Sequence, residues 1–167
     1  MFSFYNKHNN SLYNNLVKLS RNIFFYKDLS LKDNFETRVI LIFFHLSIIL
    51  VKFKKNNKNN FPQKIYDNIF TNIEYNLREL GYGDVSVNKQ MKTLNKIFYD
   101  ILLKIKVDDS NNLTIAKNII LDHLFKDTSL SEEIVTKINN YFKNFYNFIF
   151  ELDDVIVLKG EIKFNYK

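Results

Sequence analysis

The chain contains no cysteine. That excludes a disulfide framework, a thiolate nucleophile and every Cys-based zinc or iron–sulfur site. Breakers are scarce as well: Pro62 is the one proline, and glycine occurs only at Gly81, Gly83 and Gly160. Long stretches therefore run without interruption, as in a helical protein. Alanine occurs once, at Ala116, and arginine only at Arg21, Arg38 and Arg78, whereas Lys, Asn, Ile, Phe and Tyr abound, a drift toward AT-rich codons. The net charge of +6 thus reflects codon bias as much as selection for an anionic partner. A basic surface still favours approach to ribosomal RNA or anionic lipid headgroups, in a salt-dependent manner. The opening MFSFYNKHNN has neither the basic and apolar regions of a signal peptide nor the Arg-rich pattern of a transit peptide, so the chain is read as cytoplasmic.

At 167 residues, 46% apolar and 25% charged, the chain is expected to form a single domain spanning 1–167. Leu12, Leu16, Leu19 and Ile23 predict an amphipathic helix over 12–26. Asp33 with Glu36 fits a capping box opening a second helix through about residue 55, followed by a polar loop over 54–60. Pro62 suits the first turn of a third helix, striped by Ile65, Ile69, Ile73, Leu77 and Leu80 and ended by Gly81. A fourth begins near Ser86, with Asp84 or Ser86 as N-cap, and buries Val87, Met91, Leu94, Phe98, Ile101 and Ile105. A fifth covers 113–126, and Ser129 with Glu132 opens a long sixth carrying Ile138, Tyr141 and Phe145. The ending VIVLKGEIKFNYK reads as an extended strip or a short hairpin turning at Gly160. The expected fold is an all-α bundle of about six helices with a short extended C-terminal strip.

Val39 to Val51 is apolar on nearly every face, yet its thirteen residues fall short of the roughly twenty that span a bilayer. A central buried helix accounts for it, with a partner-facing role as the alternative. His45 lies inside this run and reads as a core histidine with a hydrogen-bond partner. His8, His45 and His123 have no metal-ligand spacing, and no metal or cofactor is expected. Adjacent pairs Asp108–Asp109 and Asp153–Asp154 point about 100° apart on a helix and make no catalytic dyad. The Gly81-Tyr82-Gly83-Asp84 cluster follows a helix and lacks the third glycine or the Lys-Ser/Thr of nucleotide loops. An enzyme would require Glu74, Glu79 and Asp84 to gather around a deep pocket.

LRELGYGDVSVNKQMK, Leu77 to Lys92, followed by IFYDIL, Ile97 to Leu102, resembles the ubiquinol-cytochrome c chaperone family. Phe43-Phe44-His45-Leu46 is similar to that family's histidine–leucine core segment, and Leu158 to Phe164 to its terminal glycine strip. Before about residue 25 only helical character matches. Asn88 stands where bacterial relatives often carry glycine, and Asn tolerates the same turn geometry. The resemblance implies an all-helical fold and a non-catalytic role: binding newly made cytochrome b, or its nascent chain, and aiding its hemylation and assembly into complex III. In mitochondria it implies a small partner subunit near the ribosome exit. It also implies peripheral contact with the inner membrane, on the matrix side in an organelle, and no DNA partner.

In physical terms the segment builds a helical corner. Gly81 supplies a left-handed residue, Gly83 relaxes the turn, Leu77 anchors it, and Asp84 or Ser86 accepts orphan N–H groups. The functional reading makes Arg78, Glu79, Tyr82, Asp84 and Lys89 an exposed partner-binding edge beside it. The competing class is a ribosome- or RNA-associated protein acting through the lysines of KFKKNNK, Lys52 to Lys58.

Overall fold

A computed structural model describes residues 11–56, 58–126 and 129–167; His8 and the first residues of the N-terminus lie outside them. Among the described residues, eight helices and one small hairpin follow in the order α1 (Ser11–Ser20), α2 (Ile23–Lys27), α3 (Phe35–Asn56), α4 (Gln63–Glu79), α5 (Asp84–Lys104), β1 (Ile105–Val107), β2 (Leu113–Ile115), α6 (Lys117–Leu124), α7 (Glu132–Phe150) and α8 (Asp154–Leu158). The all-helical expectation holds, with differences at the joints.

α3 forms the axle of the bundle. Apolar on every face, it must be enclosed, and α1, α5 and α7 pack around it. Every residue from Val39 to Ile49 is buried, His45 and Ser47 included. Phe43 stacks with Phe70 of α4 and meets Phe98 of α5 edge-on, while Phe44 stacks on Phe142 of α7. These offset and edge-to-face pairs let large rings fill the core without opposing their quadrupoles. One contiguous apolar cluster runs from Leu12 to Ile162.

The expected first helix breaks at Arg21–Asn22. Asn22 turns its side chain onto Phe24 N–H (3.0 Å), because Asn satisfies an orphan donor better at a cap than inside a helix. The cap of α3 is also one residue off: Asn34 Oδ1, not Asp33, accepts from Thr37 N–H at 2.9 Å. Asp33 instead takes Arg38, and Glu36 reaches across to Lys126, so no capping box forms there. Pro62 sits at the N-cap of α4 rather than in its first turn, its carbonyl accepting from Ile65 and Tyr66 N–H. Ser131, not Ser129, caps α7, accepting from Ile134 N–H at 3.3 Å.

The sequence pattern predicts no strand between the fourth and fifth helices, yet a hairpin lies there. Ile105 continues the apolar stripe of α5 but already belongs to β1, which pairs antiparallel with β2 in the register Ile105↔Ile115, Lys106↔Thr114, Val107↔Leu113. Its turn is closed by Asp108, whose carboxylate accepts from Asn112 N–H at 2.9 Å, with Asn111 left-handed at φ 59°. β2 docks on α7 through Ile115 N–H donating to Asn139 Oδ1 at 2.9 Å. Residues 113–116 are therefore strand and connector, and α6 starts only at Lys117.

At the C-terminus the strip is preceded by a short helix. Asp153 caps α8, accepting from Val155 N–H at 2.8 Å. Gly160, at φ 68°, ends it with paired bonds from Gly160 N–H to Val157 O and from Glu161 N–H to Ile156 O. Residues 161–167 then run without regular structure, burying Ile162 and laying Phe164 and Tyr166 against Tyr141.

Candidate functional site

The corner between α4 and α5 is built as its glycine pattern suggests on one side and differently on the other. Gly81, left-handed at φ 94°, closes α4 with Gly81 N–H bonded to Arg78 O (3.0 Å) and Tyr82 N–H to Leu77 O (3.3 Å). This 6→1 and 5→2 pair satisfies the last carbonyls of α4. Leu77 and Val87 anchor the corner in the core. Gly83 is itself the N-cap of α5, at φ −74° and ψ 167°, a conformation open to any residue, and a Cβ there would meet nothing within 4 Å. Neither Asp84 nor Ser86 caps: Asp84 is the first helical residue, and Ser86 lies exposed within the first turn. Asp84 pairs instead with a side chain across the corner.

That partner is Arg78, which donates Nη2 to Glu74 (2.9 Å) and Nη1 to Asp84 across the corner. The Asp84 hydrogen bond, then that of Glu74, holds the guanidinium above its ordinary pKa. Asp84 also places a negative charge at the N-terminus of α5, where the helix dipole favours it. Two carboxylates that an enzyme would have needed free are thus spent on one arginine. Glu79, exposed beside Leu80 at the end of α4, lines a cavity of about 230 Å³ with Tyr13, Val17, Phe35 and Arg38. Tyr82 is exposed at the tip, and Lys89 is exposed on the outer side of α5. The five candidate binding residues therefore share one corner, with only Arg78 and Asp84 in direct contact.

Exposed apolar side chains join them. Leu80 at 57%, Tyr82 at 43% and Val85 at 85% exposure follow one another around the turn. Leu80, expected on the apolar stripe of the third helix, is instead its exposed C-cap, and Val85 sits in an ordinary helical pattern that gives no sign of its exposure. An apolar tip rimmed by Arg78, Glu79 and Lys89 suits a protein partner, since the apolar centre gives contact area and the rim gives register.

His45 carries none of the features of an open site. Its Nδ1–H donates to Leu41 O at 2.6 Å, and Tyr141 O–H donates to its Nε2 at 2.9 Å, which fixes a neutral tautomer. Phe25, Phe142 and Phe145 ring it edge-on. Burial pushes its pKa down to about 4. His123 is bound to Asp100 at 2.8 Å. Among the described residues no group of His, Asp or Glu is arranged to hold a metal ion, and no helix is long and apolar enough to cross a membrane.

The lysine patch of the competing reading is partly consumed by the fold. Lys52 is fully buried, donating to Asp154, and Lys55 donates to Asp108 O (3.0 Å) and Asn111 Oδ1 (3.3 Å). Lys54 and Lys58 are exposed.

No curated protein matches the sequence. The crystal structure of the Cbp3 homolog from Brucella abortus shares the fold at a TM-score of 0.68 and 21% identity, over 93% of this chain and 87% of that one. The family model described as ubiquinol-cytochrome C chaperone matches residues 27–164, from the end of α2 through Phe164 of the C-terminal strip. The chain belongs to the ubiquinol-cytochrome C chaperone family.

Proposed function

We propose that this protein is a non-catalytic assembly chaperone that captures newly made cytochrome b and holds it for incorporation into the ubiquinol-cytochrome c reductase complex. Membership of the family supports the class of activity. The observation that carries the choice of surface is the exposed apolar tip Leu80–Tyr82–Val85, presented by a corner whose own backbone bonds are satisfied. A rigid corner loses little entropy on binding, and a membrane-protein client offers apolar segments that seek cover until assembly. In this reading Tyr82 and Lys89 touch the client, Glu79 lies at the rim, and Arg78 with Asp84 holds the corner in shape. The whole chain acts as one domain, at the periphery of the inner membrane, on the matrix side in an organelle, with a small partner subunit near the ribosome exit.

The test is a pair of surface variants. Tyr82→Ser with Lys89→Glu should abolish co-isolation of cytochrome b while leaving the helical melt unchanged, because both side chains are exposed. Loss of capture together with loss of fold would make the segment a structural corner and nothing more. Unchanged capture would place the client elsewhere.

A further inference from the structure

α5 carries a second feature on its solvent side. Val85, Lys89, Lys92, Lys96, Tyr99 and Leu103 recur at spacings of four, three, four, three and four, so they fall in one narrow stripe along the helix. Val85 and Leu103 are eighteen residues apart, about five turns and roughly 27 Å, and so lie at the same angle about the axis. Val85 is 85% and Leu103 76% exposed, Tyr99 is half-exposed, and the three lysines between them are exposed. None of these lysines has an ion pair among the described residues. The nearest acidic groups on the helix are already occupied: Asp84 by Arg78, and Asp100 by Lys104 and His123. The opposite side of α5 is committed to the core through Val87, Leu94, Phe98 and Ile101.

We infer that this stripe is a docking surface for an anionic lipid bilayer, on which α5 lies parallel to the membrane plane. Three unneutralised lysines in a row attract anionic headgroups, and their aliphatic stems reach along the helix while the ammonium groups stay among the phosphates. The apolar ends select this occupant over a nucleic acid. A phosphodiester backbone offers Val85 and Leu103 nothing to bury against, whereas the boundary between headgroups and acyl chains does. The face is a straight convex stripe, suited to a plane rather than to a peptide held in a groove. The inference extends the peripheral membrane placement proposed above, and its far half, Lys92 to Leu103, is separate from the residues assigned to the client.

The experiment measures flotation of the full chain with vesicles of phosphatidylcholine containing a third phosphatidylglycerol, and with phosphatidylcholine alone. The chain should bind the anionic vesicles in a salt-sensitive manner and leave the neutral ones. Lys92→Gln with Lys96→Gln should weaken binding about 30-fold. Leu103→Ser alone should weaken it roughly tenfold, without changing the melt or the capture of cytochrome b. Absence of binding to anionic vesicles, or equal binding by wild type and both variants, would overturn the inference. So would tight binding to RNA or to an acidic protein that Lys92→Gln with Lys96→Gln abolishes while lipid binding persists. Lipid binding that survives in a chain unable to capture cytochrome b would retain this inference and reject the client assignment instead.

Discussion

Lys52, at the C-terminal end of the apolar axle α3, buries its ammonium completely and donates it to Asp154 in the first turn of α8. The contact joins residues 102 positions apart and ties the C-terminal segment to the centre of the bundle. Asn59 adds a second, longer bond to the same carboxylate at 3.4 Å. Burial alone would raise the Asp154 pKa, but the hydrogen bonds from Lys52 and Asn59 outweigh it and hold the carboxyl below its ordinary value.

Removing one member of such a pair leaves a buried charge without compensation. Asp154→Ala is expected to destabilise the protein by about 3–5 kcal/mol in urea unfolding, far more than an exposed ion pair contributes. Lys52→Met combined with Asp154→Asn should recover most of that loss, because the desolvation cost disappears with the ammonium. A single-variant cost below about 1 kcal/mol would show that water reaches Lys52.

His45 is expected to make the fold sensitive to acid. Its folded pKa, about 4, lies below the roughly 6.5 of an unfolded histidine, so between these values the unfolded chain binds the additional proton. Stability is therefore full above about pH 6.5 and falls as the pH drops toward 4, by roughly 3 kcal/mol from this residue. Asp154, also depressed, extends the loss to lower pH. His45→Gln should flatten the limb between pH 6.5 and 4 in a series of melts. An unchanged slope would assign acid sensitivity to other groups.

Tyr141 donates to His45 Nε2 from the middle of the aromatic cluster, so Tyr141→Phe should cost about 1–3 kcal/mol by leaving a buried acceptor unsatisfied. In a background of His45→Leu the same change should cost far less. Equal costs in both backgrounds would mean that the ring, and not its hydroxyl, carries the effect.

The glycines should respond unequally. At Gly160 an added Cβ would lie 2.3 Å from the backbone of Ser11 in α1, in a left-handed conformation, so Gly160→Ala should cost more than about 2 kcal/mol. Gly83→Ser should instead stabilise by roughly 0.5 kcal/mol, since it places a side-chain acceptor at an N-cap that has none. Chemical denaturation of the two variants decides the matter, and similar losses would contradict the assigned geometry.

These contrasts also show what could be read in the residues themselves. Val39 to Val51 announces a buried axle because no face of it is polar, and Gly81 announces a left-handed stop because α4 needs one. The periodicity that continues to Ile105 has no way to signal that the chain leaves the helix there, since a buried isoleucine serves a strand as well. Asp33 and Asn34 are both good caps, and the choice between them is made by Arg38, which takes Asp33 away. In α5 the helix begins one residue earlier than a cap at Asp84 allows, with Gly83 as N-cap and Asp84 paired to Arg78. Lys52 reads in the sequence as the first lysine of the KFKKNNK patch, and its partner lies too far along the chain to be inferred from local pattern. Glycine spacing made the corner visible, whereas the exposure of Leu80, Val85 and Leu103 is decided by packing.

The central claim is that this chain holds cytochrome b before the complex is complete. Affinity capture of the intact protein from its native membranes, with mass spectrometry of the bound fraction, tests it most directly. Cytochrome b should be recovered with wild type and lost with Tyr82→Ser, Lys89→Glu; recovery of ribosomal proteins alone, without cytochrome b, would contradict it.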